Sequence, residues 1–269
     1  HAFVSKQKID REWQKLRFHG APDLDSALVQ HRIFAAKLQA AGAKVIFLGG
    51  GEGLTLDSIY AHDALVLTPR GLILCRMGRA TRRSEPALNA RELERKGFAV
   101  TGEIEAPGTL EGGDFLWFDE ATAAVGLGPR TNQAGIEQLG ALLGNGVELH
   151  VVPLPPPSHP EDVMHLMSVI SPVDADLAVV YRPLLPDSFA DWLEKRGVRL
   201  IEVLADEYPK MACNVLALQP RHVVMIEGCP KTQALLESAG CRVETYNGSE
   251  ISLKGDGGPT CLVRPLVRT

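Results

Sequence analysis

One cysteine, one histidine and a few carboxylates stand where strands should end, and together they form a kit for covalent chemistry on a cationic carbon. Cys261 follows the glycine-rich turn of "KGDGGPTCLVRPL" (254–266), with no second cysteine near it. His165 sits inside the otherwise apolar "DVMHLMSVIS" (162–171). "APGTLEGGDFLWF" (106–118) sets Glu111 and Asp114 around two glycines, just before an apolar and aromatic run. "TLDSIYAHD" (55–63) brings Asp57, His62 and Asp63 ahead of the strand-like "ALVLT". Carboxylates pair with a planar cation through charge-assisted hydrogen bonds, a thiolate attacks it, and an imidazole moves the protons. Singly, each residue has a plainer role. Cysteine is among the most buried residue types, and Asp beside glycine usually bonds its own turn. A lone histidine in an apolar run is more often a hydrogen-bonded core residue. The combination points to catalysis; no single member does.

Residues so far apart need a scaffold of many short elements. Runs rich in β-branched residues recur at 43–48 ("AKVIFL"), 64–68, 71–76, 123–127, 149–154, 177–181, 215–218 and 222–227, each bounded by Gly, Pro, Asp or Asn. They read as buried or half-buried strands. Amphipathic stretches at 23–42, 131–145, 186–197 and 230–240 read as helices, the first ending on a C-cap glycine. Helices are about half as many as strands, which does not suit a doubly wound sheet or an eight-unit barrel. Units of several strands and one helix, repeated, fit better. A helix–"AG" or "RG"–strand pattern recurs as "LQAAGAKVIFL", "LEKRGVRLIEV" and "LESAGCRVETY". The proline-dense "LPPPSHP" (154–160) reads as an ordered loop rather than a linker, and residues 1–269 as a single domain.

Composition excludes several function classes. A net charge of -5 argues against nucleic acid and anionic membrane surfaces as partners. No apolar run approaches the roughly 20 residues needed to cross a bilayer, and the first residues lack the pattern of a signal peptide. The five cysteines (75, 213, 229, 241 and 261) are scattered without a CxxC pair, which fits a reducing, cytoplasmic setting. "LGGGEGLTL" (48–56) lacks the Lys-Ser/Thr of a phosphate loop and the spacing of a dinucleotide fingerprint. Neither a G-x-S-x-G elbow nor a metal-binding histidine pair is present.

At these same residues the sequence resembles the guanidine-modifying, or pentein, superfamily, and within it the dimethylargininases. The resemblance covers nearly the whole chain in order: "GAPDLDSALVQH", "LDSIYAHDALVL", "GRATRRSEP", "EAPGTLEGGDFLWF", "VGLGPRTNQAG", "MHLMSVIS", "ACNVLAL" and "KGDGGPTCL". It implies a five-bladed α/β propeller of ββαβ-type units with pseudo-fivefold symmetry. It also implies a hydrolase that attacks the guanidine carbon of an arginine derivative, Nω-methylated arginine before plain arginine, and releases citrulline and an amine without cofactor or metal. By matched motif, Cys261 would be the nucleophile and His165 the general acid and base. Glu111 and Asp63 would grip the guanidinium, Arg82 and Arg130 the α-carboxylate, and Asp57 the α-amino group. His62 stands where dimethylargininases carry an acidic residue, so it and Asp114 are candidates for tuning the site. The segment "VSKQKIDREWQKLRFHG" departs from the family's usual lid-like loop, which bears on specificity. An arginine deiminase, an amidinotransferase and a non-catalytic binding protein on the same scaffold are the alternatives. The partner is a small guanidino compound, and a homodimer is left open.

Overall fold

The computed structural model describes residues 2–156 and 164–267, so residues 157–160 of the proline-dense stretch lie outside the described residues. One pattern is used four times: a hairpin of two antiparallel strands, a helix, and a third strand parallel to the second. The chain divides into two compact units, one formed by residues 48–54, 60–168 and 263–269, the other by 1–47, 55–59 and 169–262.

The second of these units begins with α1 (Lys6–Glu12) and α2 (Leu24–Ala40). Asp23 caps α2 by accepting the Ser26 amide, and Gly42 closes it at φ +94°. Within the other unit, β1 (Leu65–Thr68) and β2 (Gly71–Leu74) pair, α3 (Glu85–Glu94) follows, and β3 (Val100–Glu103) joins β2 in parallel. β4 (Phe115–Trp117), β5 (Thr122–Leu127), α4 (Gln133–Leu143) and β6 (Glu148–Pro153) repeat the arrangement. Residues of β1, β2, β4, β5 and α4 meet in a core that includes Val66, Ile73, Phe115, Val125 and Leu139, together with Met77 and Leu110 from the connections. Asn132 caps α4, accepting the Gly135 amide at 2.8 Å and the Thr109 amide at 2.9 Å.

The remaining two copies lie in the unit that holds α1 and α2. They are β7 (Ile170–Asp174), β8 (Leu177–Val180), α5 (Asp187–Lys195) and β9 (Arg199–Glu202), then β10 (Leu216–Gln219), β11 (His222–Ile226), α6 (Pro230–Ser238) and β12 (Arg242–Tyr246). The repeated "AG" and "RG" now have a cause. Gly42, Gly197 and Gly240 each follow a helix at positive φ, as does Gly97 after α3, where a Cβ would be strained.

Two expectations need correction. Residues 43–48 form no strand. In the four complete copies a hairpin precedes the helix and supplies the middle strand that the third strand joins. No hairpin precedes α2, so this run has no local partner, and Phe47 stays 61 % exposed. Among the described residues the strands form four three-stranded sheets. Conversely, α3 was not anticipated. Its sequence, "EPALNARELE", is half polar and its buried face includes Glu85 and Asn89, so apolar periodicity alone does not reveal it. Among the described residues no helix is long and apolar enough to cross a membrane.

Candidate active site

Three distant residues meet in the core of the unit that carries β1–β6. His165 Nε2 lies 2.8 Å from Glu111 Oε2, and His165 Nδ1 lies 3.8 Å from Asp63 Oδ1. All three side chains are about 5 % exposed or less. Asp63 precedes β1, Glu111 leads into the Gly112–Asp114 turn before β4, and His165 precedes the turn Leu166–Ser168. Two glycines allow the approach. A Cβ on Gly113 would stand 2.5 Å from His165 Nδ1, and one on Gly112 would collide with the His62 carbonyl.

Each member is held by further contacts. Glu111 Oε1 accepts the Arg79 amide at 3.0 Å and lies 3.7 Å from Arg130 Nη1. Asp114 is fully buried and accepts both the Thr131 hydroxyl, at 2.6 Å, and the Leu166 amide, at 2.9 Å. It thereby fixes the backbone next to His165. Ser168 Oγ accepts the His165 amide at 3.1 Å.

Arg82 lies beside Asp63 and is held by protein groups. Its Nη1 donates to Asp63 Oδ2 at 2.6 Å. Its Nε and Nη2 donate to the two carboxylate oxygens of Glu85 at 2.9 and 2.7 Å, and Nη2 also reaches the Tyr60 carbonyl at 2.8 Å. Arg82 is thus a buried guanidinium held between two protein carboxylates. Glu85, three residues along on α3, carried no sequence signal of its own.

Burial and charge set the protonation states. Burial alone would lower the basicity of His165, but the charges of Asp63, Asp114 and Glu111 outweigh it and carry the pKa up to about 9. Burial tends to raise Asp63, yet His165 and Arg82 bring it down to about 2. Glu111 is likewise lowered, its burial overcome by the His165 hydrogen bond and by Arg130. Asp114 goes the other way: burial dominates and pushes it up to about 6. The cluster is thus an imidazolium between two carboxylates. Asp63, Glu111 and His165 are the one group of three among the described residues close enough to hold a metal ion.

His62 is buried, with Nδ1 2.8 Å from the Val263 carbonyl, and burial with nearby Arg264 drives its pKa down to about 3. It is a neutral donor to a carbonyl and carries no charge toward Asp63.

Cys261 and Asp57 belong to the other unit. Asn214 Nδ2 lies 3.5 Å from Cys261 Sγ, while its Oδ1 accepts the Thr260 amide and hydroxyl at 2.9 and 2.8 Å. Gly258 packs so closely on Asn214 that a Cβ there would collide with the side-chain amide. Asn214, from "ACNVLAL", is a contact of the candidate nucleophile that spacing did not reveal. Asp57 is buried on the turn Leu56–Ile59, whose first amide is accepted by Glu12. All five cysteines are thiols outside any disulfide, and Cys261 alone is not fully buried. Burial raises the other four thiols, Cys229 to about 11, which makes them poor nucleophiles.

With this geometry in place, comparison with known proteins decides the family. Residues 5–268 match the family profile described as N,N dimethylarginine dimethylhydrolase, eukaryotic. The chain belongs to this family. It is 30 % identical to the N(G),N(G)-dimethylarginine dimethylaminohydrolase of Pseudomonas aeruginosa over 244 residues, covering 90 % of this chain and 89 % of that one. A solved structure of the Pseudomonas aeruginosa enzyme, a cysteine-to-serine variant complexed with citrulline, superposes with a TM-score of 0.77 at 28 % identity, covering 90 % and 89 % of the two chains. The arginine deiminase of Mycobacterium marinum is 31 % identical over 188 residues, covering 59 % of this chain and 46 % of the deiminase. Membership in the dimethylarginine dimethylhydrolases makes this chain a hydrolytic, amidine-processing enzyme of the pentein superfamily.

Proposed function

We propose that the chain hydrolyses the guanidine carbon of an Nω-methylated arginine to citrulline and methylamine or dimethylamine, through a thiouronium on Cys261. The observation that carries this reading is the buried Asp63–His165–Glu111 cluster, two carboxylates around an imidazolium, in a chain of this family. This reading includes the five-bladed form and the single catalytic domain that the resemblance to the pentein superfamily implies.

The mechanism follows from the charges. Asp63 and Glu111 hold the planar guanidinium and orient its carbon. The added cation favours ionisation of the Cys261 thiol. The thiolate forms a C–S bond to give a tetrahedral adduct. His165 then gives its proton to the leaving amine as the C–N bond breaks. The neutral imidazole takes a proton from water, whose oxygen bonds to the thiouronium carbon. The C–S bond breaks next, and as the hydroxyl proton passes to solvent the ureido product and the thiolate are released. Asp57 takes the substrate's α-amino group and Arg130 its α-carboxylate, while Arg82 braces Asp63.

The test is a panel of arginine, monomethylarginine and dimethylarginine, assayed for ureido product and released amine. Citrulline with dimethylamine from dimethylarginine supports the reading. Citrulline and ammonia from arginine alone would make the chain an arginine deiminase, and a new guanidine in the presence of an acceptor amine would make it an amidinotransferase. Full turnover by Cys261→Ser would overturn the covalent mechanism, whereas His165→Gly is expected to accumulate the thiouronium, visible by mass spectrometry.

A further inference from the structure

We infer that His62 and Arg264 form a positioning bracket that ties the chain just after Cys261 to the two loops carrying Asp63 and Glu111; the inference rests on the reaction proposed above. The bracket is built from reciprocal bonds. The His62 imidazole, neutral and buried, donates from Nδ1 to the Val263 carbonyl at 2.8 Å. Arg264 returns the contact, donating Nε and Nη2 to the His62 carbonyl at 3.1 and 2.8 Å. The same Nη2 reaches the Gly112 carbonyl at 3.4 Å, and the Gly112 amide donates to the Asp63 carbonyl at 2.8 Å.

One arginine therefore joins the residue before Asp63 to the residue after Glu111. It does so from a position three residues after the candidate nucleophile. Gly112 is required for this crossing, because a Cβ there would meet the His62 carbonyl and press on Arg264 Nη2 at 2.5 Å. The chain leaves one compact unit at Leu262 and enters the other at Val263. The bracket thus grips the first two residues of the re-entering segment. The reaction needs the thiol and both carboxylates to address a single carbon, and small displacements of catalytic groups cost rate steeply. A guanidinium is well matched to holding carbonyls in this way, because its fixed fork engages two acceptors with less freedom than an ammonium. His62 is then neither a proton carrier nor a substrate contact, which accounts for an imidazole beside Asp63 that bears no charge.

The bracket is tested by two alkylating reagents of different charge on Cys261. Chloroacetamidine carries a cationic amidine that the carboxylates would steer onto the thiol; iodoacetamide is neutral and is not steered. Rates are measured for the wild-type protein and for Arg264→Ala, Arg264→Lys and His62→Leu, with kcat and KM for the best substrate. The expected result is a fall of about tenfold in kcat and in the amidine rate for Arg264→Ala, the scale of one lost charged hydrogen bond. The iodoacetamide rate should stay within about twofold, and Arg264→Lys should recover part of the loss because it keeps the charge and some donors. If Arg264→Ala does not fold, His62→Leu reads the same ratio through the opposite half of the bracket. An unchanged ratio of amidine to amide rates in the variants overturns the bracket while leaving the proposed reaction standing. Equal slowing by both reagents also overturns it, since that is general loosening. A wild-type protein without preference for the amidine sinks the proposed reaction itself.

Discussion

The protonation of His165 is the most exposed part of the mechanism, and Glu111→Gln tests it. Between the ordinary imidazole value of 6.5 and about 9, the folded protein favours the imidazolium by about 3 kcal/mol. The substitution is nearly isosteric, removes one charge and leaves at best a neutral acceptor for the 2.8 Å hydrogen bond from His165. Such bonds contribute about 1.5–3 kcal/mol, so His165 should fall by about one to two pH units, to between about 7 and 8. The assay is an NMR titration of the imidazole in a Cys261→Ser background, where no thiol titrates nearby, with His165→Gln to identify the signal. Stability carries the same signature. Because the folded pKa lies above the unfolded one, the stabilisation from His165 is complete below about pH 6.5 and is lost as pH rises through about 9. Urea unfolding of the wild-type protein should therefore weaken over that window, and over a lower and narrower one in Glu111→Gln. Titration of wild-type His165 at 6.5 or below, or at the same pH in both proteins, would refute the reasoning.

Two further substitutions probe the groups around this centre. Asp114 is pushed up to about 6, so its favourable contribution is present below the ordinary 3.8 and lost as pH rises through 6. Asp114→Asn should gain stability relative to the wild-type protein by about 3 kcal/mol between pH 4 and 7, read by urea unfolding at each pH; a difference independent of pH would contradict the assignment. Arg82→Met leaves the buried Asp63 and Glu85 without their cation and should cost about 3–5 kcal/mol of stability. It should lower kcat for dimethylarginine and for its decarboxylated analogue alike; a raised KM for dimethylarginine only would return Arg82 to the substrate's carboxylate.

What was legible in the sequence tracks burial. β5, β8 and β11 are middle strands, covered on both faces, and they appear as continuous apolar runs. β3, β9 and β12 are half exposed; β9 and β12 show through the repeated helix–glycine–strand pattern, whereas "VTGE" of β3 has no signal. The run at 43–48 looked like a strand because it has strand composition, but a strand also needs a neighbour, which composition does not report. In the site, the residue types of Asp63, Glu111 and His165 could be read from local motifs, whereas their meeting could not: they are separated by 48 and 54 positions along the chain. Arg82 could be read from its motif, but the Glu85 carboxylate that it grips could not. Arg264 was missed altogether. An arginine that donates to backbone carbonyls has no partner residue type to betray it.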